Sequence, residues 1–227
     1  MWESLSPEGN EISLLVTTIS DQECLNSEIK SDIAVQNSKL VVQLDGIEQP
    51  ADCLEGEAPA LANLPLANLS TGNYGLEINI LDIIKNEGTV EIDPTTLRIE
   101  LTTDDGLHIS HDELNRVPNN TYWGFIALDQ ITLNNVTADF LAEVETIRDE
   151  ADLANGYYGH FNIFEDKVEF DAVTEYPDVD KFIFKYSGEL NELIKLLDDY
   201  RAHVDYAGQL EIKVMTYQGL ELYLRSS

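Results

Sequence analysis

The chain has 227 residues, room for one large domain or two of ordinary size, and a formal net charge of −30. Its 43 acidic against 13 basic side chains argue against nucleic acid and anionic membrane surfaces as direct partners, and point to solvent, cations or a basic protein. A hydrophobic content of 43% is too high for a disordered acidic segment, and the charge forms no tail: residues 1–120 hold 22 acids and 5 bases, the remainder 21 and 8.

Met1-Trp2-Glu3-Ser4 leads straight into polar residues, with no signal peptide. No apolar run reaches the length of a membrane span. Cys24 and Cys53 both sit in polar, loop-like sequence (Asp21-Gln22-Glu23 and Pro50-Ala51-Asp52), which favours a disulfide over two buried thiols of a cytosolic protein. With no C-x-x-C and no Cys/His cluster, zinc and thiol redox chemistry are disfavoured. A disulfide implies an extracellular, periplasmic or cell-surface protein whose leader is missing here. On that reading residues 1–10 are a flexible end that once led to a tether or lipid anchor.

Residues 11–118 read as an all-β sandwich. Strands are expected over Ile12–Ile19, Lys39–Asp45, Tyr74–Ile84, Thr89–Ile92 and Leu97–Leu101, with period two in Leu40, Val42 and Leu44 and again in Tyr74, Leu76, Ile78 and Ile80. Turn signals stand at Asp45-Gly46, Asn86-Glu87-Gly88, Asp93-Pro94 and Asp105-Gly106. Leu69-Ser70-Thr71-Gly72-Asn73-Tyr74 resembles the tyrosine corner of immunoglobulin-like sandwiches, in which a phenol hydroxyl bonds back to the turn backbone. That resemblance implies an immunoglobulin-like sandwich for the first domain and names no family.

Residues 119–227 read as an α+β domain with two helices and a mostly antiparallel sheet. Tyr122–Leu128 is a strand apolar on both faces, which makes Trp123 a core residue. Phe140, Leu141, Val144, Ile147 and Ala151 form one helical stripe, with Thr137 as its cap. Leu190, Leu193, Ile194, Leu197, Tyr200 and Val204 form a second, capped by Ser187, with His203 near its end. Between them lie a hairpin turning at Glu165-Asp166 and a strand over Lys181–Tyr186, and a last hairpin turns at Gln218-Gly219. Leu69–Gly75 and Leu153–Gly159 share Leu, Gly, Tyr and Gly at fixed offsets. Because the flanks do not repeat, this reads as one turn chemistry used twice.

Catalytic signatures are absent: no G-x-G-x-x-G, P-loop, G-x-S-x-G, H-E-x-x-H or calcium loop occurs, and Ser27-Glu28-Ile29-Lys30 is a chance S-x-x-K match. No cofactor is expected. His108, His111 and Glu113 are the only candidates for a metal, provided the segment turns helically; otherwise it is a solvated loop. Tyr157, Tyr158 and His160, in a tyrosine-rich half that also includes Tyr206, are candidates for a binding surface toward a protein or carbohydrate. The leading expectation is a non-catalytic secreted or periplasmic bacterial protein in surface binding or assembly. The alternatives are an acidic inhibitor or immunity-type protein that binds a basic enzyme, and a metal-dependent enzyme using His108 and His111.

Overall fold

The structure, a computed structural model, describes residues 1–66, 69–129, 134–149, 153–165, 167–201 and 209–225. The expected positions Ala151, Asp166, His203, Val204 and Tyr206 lie outside the described residues. The chain gathers into two compact units: Met1–Ser4 with Glu11–Arg116 and Tyr157–Gly159, and Leu5–Asn10 with Val117–Gly156 and His160–Ser227. It changes unit between Arg116 and Val117, and again on either side of residues 5–10 and of residues 157–159.

The first unit is built on one nine-stranded sheet. Its strands are β1 (Trp2–Ser4), β2 (Glu11–Cys24), β3 (Glu28–Gln36), β4 (Lys39–Glu48), β5 (Glu55–Pro65), β6 (Gly72–Ile80), β7 (Ile84–Ile92), β8 (Thr96–Leu101) and β9 (Glu113–Asn115), in the spatial order β1-β2-β5-β3-β4-β6-β7-β8-β9. Pairing is antiparallel except at β3–β5 and β4–β6. Alternate residues turn inward as period two requires: Leu40, Val42 and Leu44 on β4, Ala60, Ala62 and Leu64 on β5, Val90 and Ile92 on β7, Leu97 and Ile99 on β8. The sheet curls around this single core until it is nearly closed.

Residues 1–10 do not begin as a flexible end. Trp2, Glu3 and Ser4 pair with Ser13, Ile12 and Glu11, and Glu3 is fully buried, its carboxylate accepting from Arg116 Nε at 3.0 Å. A three-residue strand that buries a charge has no local sequence signature; its partner lies at the far end of the unit.

Several turns differ from their sequence signals. The β6–β7 hairpin turns at Leu81 and Asp82, both at φ +54°, with Ile83 N donating to Ile80 O at 3.0 Å, so the expected strand Tyr74–Ile84 is broken there. Asn86-Glu87-Gly88 is no turn but lies within β7. A Cβ on Gly88 would come within 2.2 Å of Glu100 O on β8, so this glycine serves the close approach of two backbones. Asp45 is the extra residue of a β4 bulge, since Lys30 pairs with Gly46 and Ser31 with Leu44. Asp93-Pro94 and Asp105-Gly106 turn as expected. Tyr74 Oη donates to Ser70 O at 2.9 Å, the local bond a tyrosine corner requires.

The second unit contains β10 (Thr121–Leu128), α1 (Asn134–Ile147), β12 (Asn162–Phe164), β13 (Lys167–Glu169), β14 (Asp178–Lys185), α2 (Leu190–Arg201), β15 (Leu210–Thr216) and β16 (Glu221–Arg225), while the short β11 (Gly156–Tyr157) falls where the chain changes unit. An antiparallel sheet in the order β14-β10-β15-β16 has the fully buried β10 at its centre. Tyr122, Ile126 and Leu128, with Phe182, Phe184, Ile212 and Val214, face α1 and α2 through Phe140, Val144, Leu193 and Leu197. On the opposite face Trp123 packs on Phe161, ring centroids 5.0 Å apart, so Trp123 is core as its sequence context implied. Ser187 is not the cap of α2: its hydroxyl donates to Asp149 at 2.6 Å. Thr137 lies inside α1, which starts at Asn134.

Candidate functional site

The geometry that stands out is a defect in the first sheet. β2 ends at Cys24, which forms a disulfide with Cys53. The link holds together two loops that also share main-chain and side-chain bonds: Leu25 N to Leu54 O at 2.8 Å, Asn26 Nδ2 to Asp52 O at 3.0 Å, and Leu54 N to Asn26 Oδ1 at 2.9 Å. Leu25 rests on Gly56, where a Cβ would come within 2.7 Å of it. Ser27 is buried and its hydroxyl donates to Cys24 O at 3.0 Å, which gives it a structural task and removes it from any S-x-x-K chemistry.

From this anchored corner β3 and β5 set out in parallel and then separate. Leu61 N donates to Ser27 O at 3.3 Å, and Glu28 pairs with Leu61. Among the described residues that is the only register pair between the two strands, whereas β3 pairs with β4 along its whole length. Among the described residues, the outer edge of β3 beyond Glu28 is therefore a row of main-chain donors and acceptors without a strand beside it. The β4 bulge places its extra residue on β4, so this outer edge keeps a regular repeat. An open groove of about 740 Å³ lies at the point of separation, lined among others by Leu25, Ile29, Pro59, Leu61, Glu28 and Glu48. Leu25 (52% exposed) and Leu61 (43%) leave apolar surface uncovered there. Glu28 and Glu48 are direct cross-strand partners, and among the described residues neither has an ion-pair partner. Like charges placed opposite each other destabilise a strand pair.

The residues singled out from sequence lie elsewhere. His108 and Glu113 line a second open groove, and the Glu113 carboxylate is held by the Arg98 guanidinium, with Nε at 3.0 Å. His111 stacks on Tyr157, ring centroids 3.8 Å apart and planes 8° from parallel. Among the described residues no three His, Cys, Asp or Glu side chains group so as to hold a metal ion. Tyr157 Oη donates to Met1 O at 3.3 Å, and burial pushes its phenol above the ordinary value. Gly159 lies within van der Waals reach of Trp2, Glu3 and Leu114. Residues 157–159 thus sit between β1 and β9 and close the curled sheet on that side. Tyr158 is 3% exposed and offers no ring to a ligand, which corrects its place in the expected binding surface. His160 lies beside Trp123, ring centroids 5.7 Å apart.

No protein-family model, no curated protein and no solved structure matches this chain.

Proposed function

We propose that the chain is a non-catalytic protein of the bacterial periplasm or cell exterior that works in surface binding or assembly. The observation that carries this reading is the Cys24–Cys53 disulfide at the mouth of an open strand edge: an oxidising compartment sets the covalent clamp, and the clamp fixes the corner of the groove. No helix among the described residues is long and apolar enough to cross a membrane. The tyrosine-corner bond of Tyr74 supports an immunoglobulin-like sandwich in the first unit, with the second unit as a separate α+β domain. Alkylation of thiols before lysis, followed by fractionation, tests the reading. The expected result is an extracytoplasmic protein with no free thiol; two free thiols in an intracellular fraction contradict it.

The net charge of −30 supports a second reading, an inhibitor or immunity-type protein steered onto a basic enzyme. It requires an affinity for basic proteins that falls steeply with salt.

A further inference from the structure

We infer that the open edge of β3 is a docking site for an extended polypeptide segment of another protein, which adds as a strand and carries Lys or Arg between its apolar residues. The inference rests on the binding reading above and names the site and the occupant. The unpaired edge supplies main-chain hydrogen bonds that any extended chain can satisfy, whatever its side chains. Side-chain selection follows from the alternation of β3. Ile29 and Ile33 turn toward the core with the half-buried Ser31 between them on the same face, so an incoming strand meets apolar surface at two positions four residues apart. Lys30 and Asp32 are exposed between them, and Glu28 with Glu48 stands at the groove end of the edge.

Charge complementarity decides between occupants. A second copy of this chain would bring its own excess of acids against Glu28, Glu48 and Asp32, and is repelled. A basic segment relieves the Glu28–Glu48 opposition instead. Carbohydrate is disfavoured, because sugar rings are held by stacking on aromatic side chains and none of the residues lining the groove is aromatic.

The probe is a fluorescein-labelled eight-residue peptide alternating Val and Lys, titrated into the intact, oxidised protein at low salt. Two controls accompany it, the same peptide with alternate backbone nitrogens methylated and a Val/Glu peptide. The expected result is saturable binding of the Val/Lys peptide, at least tenfold weaker binding of the methylated form, no binding of Val/Glu, and new amide protection within Ile29–Gln36. The exposed substitution Asp32→Lys weakens the Val/Lys complex several-fold while leaving the melting temperature within a few degrees. Equal binding of the methylated peptide reduces the effect to charge attraction and overturns the proposal, as does protection that maps away from β3. Absence of binding by every peptide also overturns it, but leaves the extracytoplasmic reading to be decided by its own thiol measurement.

Discussion

The two units order their sheets in different ways. In the second, β10 sits at the centre of its sheet with every residue buried, helices cover one face, and aromatic residues from Trp123 to Phe161 pack on the other. In the first, the curled sheet is sealed on one side by residues 157–159 and the buried Glu3–Arg116 pair, and on the other it stops short, leaving β3 and β5 joined at a single position. A central strand packed on both faces takes its order from apolar contact. In the nearly closed sheet of the first unit the stretch where β3 and β5 separate lacks that support, and the disulfide stands beside it.

The largest expected effect lies in the aromatic core of the second unit. Phe140 is fully buried, its ring 5.4 Å from those of Phe182 and Tyr200, so Phe140→Ala should cost about 3–5 kcal/mol. Urea unfolding followed by amide exchange at β10 measures it, and a loss under about 1 kcal/mol would deny that this core organises the unit. Next is the clamp: Cys24→Ser with Cys53→Ser opens a loop with a sequence separation of 29 and should cost about 3–4 kcal/mol in the first unit. Its signature is loss of protection in β2, β3 and β5 with β10 unchanged. A uniform loss across both units would erase the contrast between them.

Tyr74→Phe removes the hydroxyl bond to Ser70 O and should cost about 1 kcal/mol, read as a small shift of the denaturation midpoint. The smallest effect is electrostatic and is read on the pH axis. Glu77 accepts from Lys39 Nζ at 2.7 Å and Lys85 Nζ at 3.0 Å, and these contacts, Lys39 first, hold its carboxyl down at about 2 against an ordinary 4.5. Because the folded value is the lower one, its contribution is complete above pH 4.5 and is lost as pH falls toward 2. Glu77→Gln should flatten the stability profile in that window and leave neutral pH nearly unchanged. A Glu77 carbon resonance that titrates near its ordinary value would remove the four-residue network with Lys39, Lys85 and Glu87 from the account.

Strands with strict alternation were legible in the sequence: Leu40, Val42 and Leu44 announced β4, and Leu76 and Ile78 announced β6. Both strands that form the groove were not. β3 interrupts its apolar residues with Lys30, Ser31 and Asp32, and β5 carries Pro59 and Pro65 and has Ala60 and Ala62 beside Leu64 as its inward residues, a composition that reads as loop. Their neighbourhood is also non-local, since β5 inserts between β2 and β3, and local periodicity carries no information on strand order. The same holds for the seam, where His111 meets Tyr157 only because the curled sheet brings distant segments together. The disulfide was legible from the polar flanks of both cysteines, although Cys24 is buried at the end of β2 rather than in a loop, and its place beside the groove was not legible.

The open edge of β3 is most directly tested by native-state hydrogen exchange on the unliganded, oxidised protein, comparing β3 with β10. If the edge is free, every second amide of Ile29–Gln36, those directed away from β4, exchanges at close to the rate of an exposed loop, while the amides of Thr121–Leu128 exchange only through global unfolding. Slow exchange of all β3 amides, matching β10, would contradict an open edge and with it the docking site.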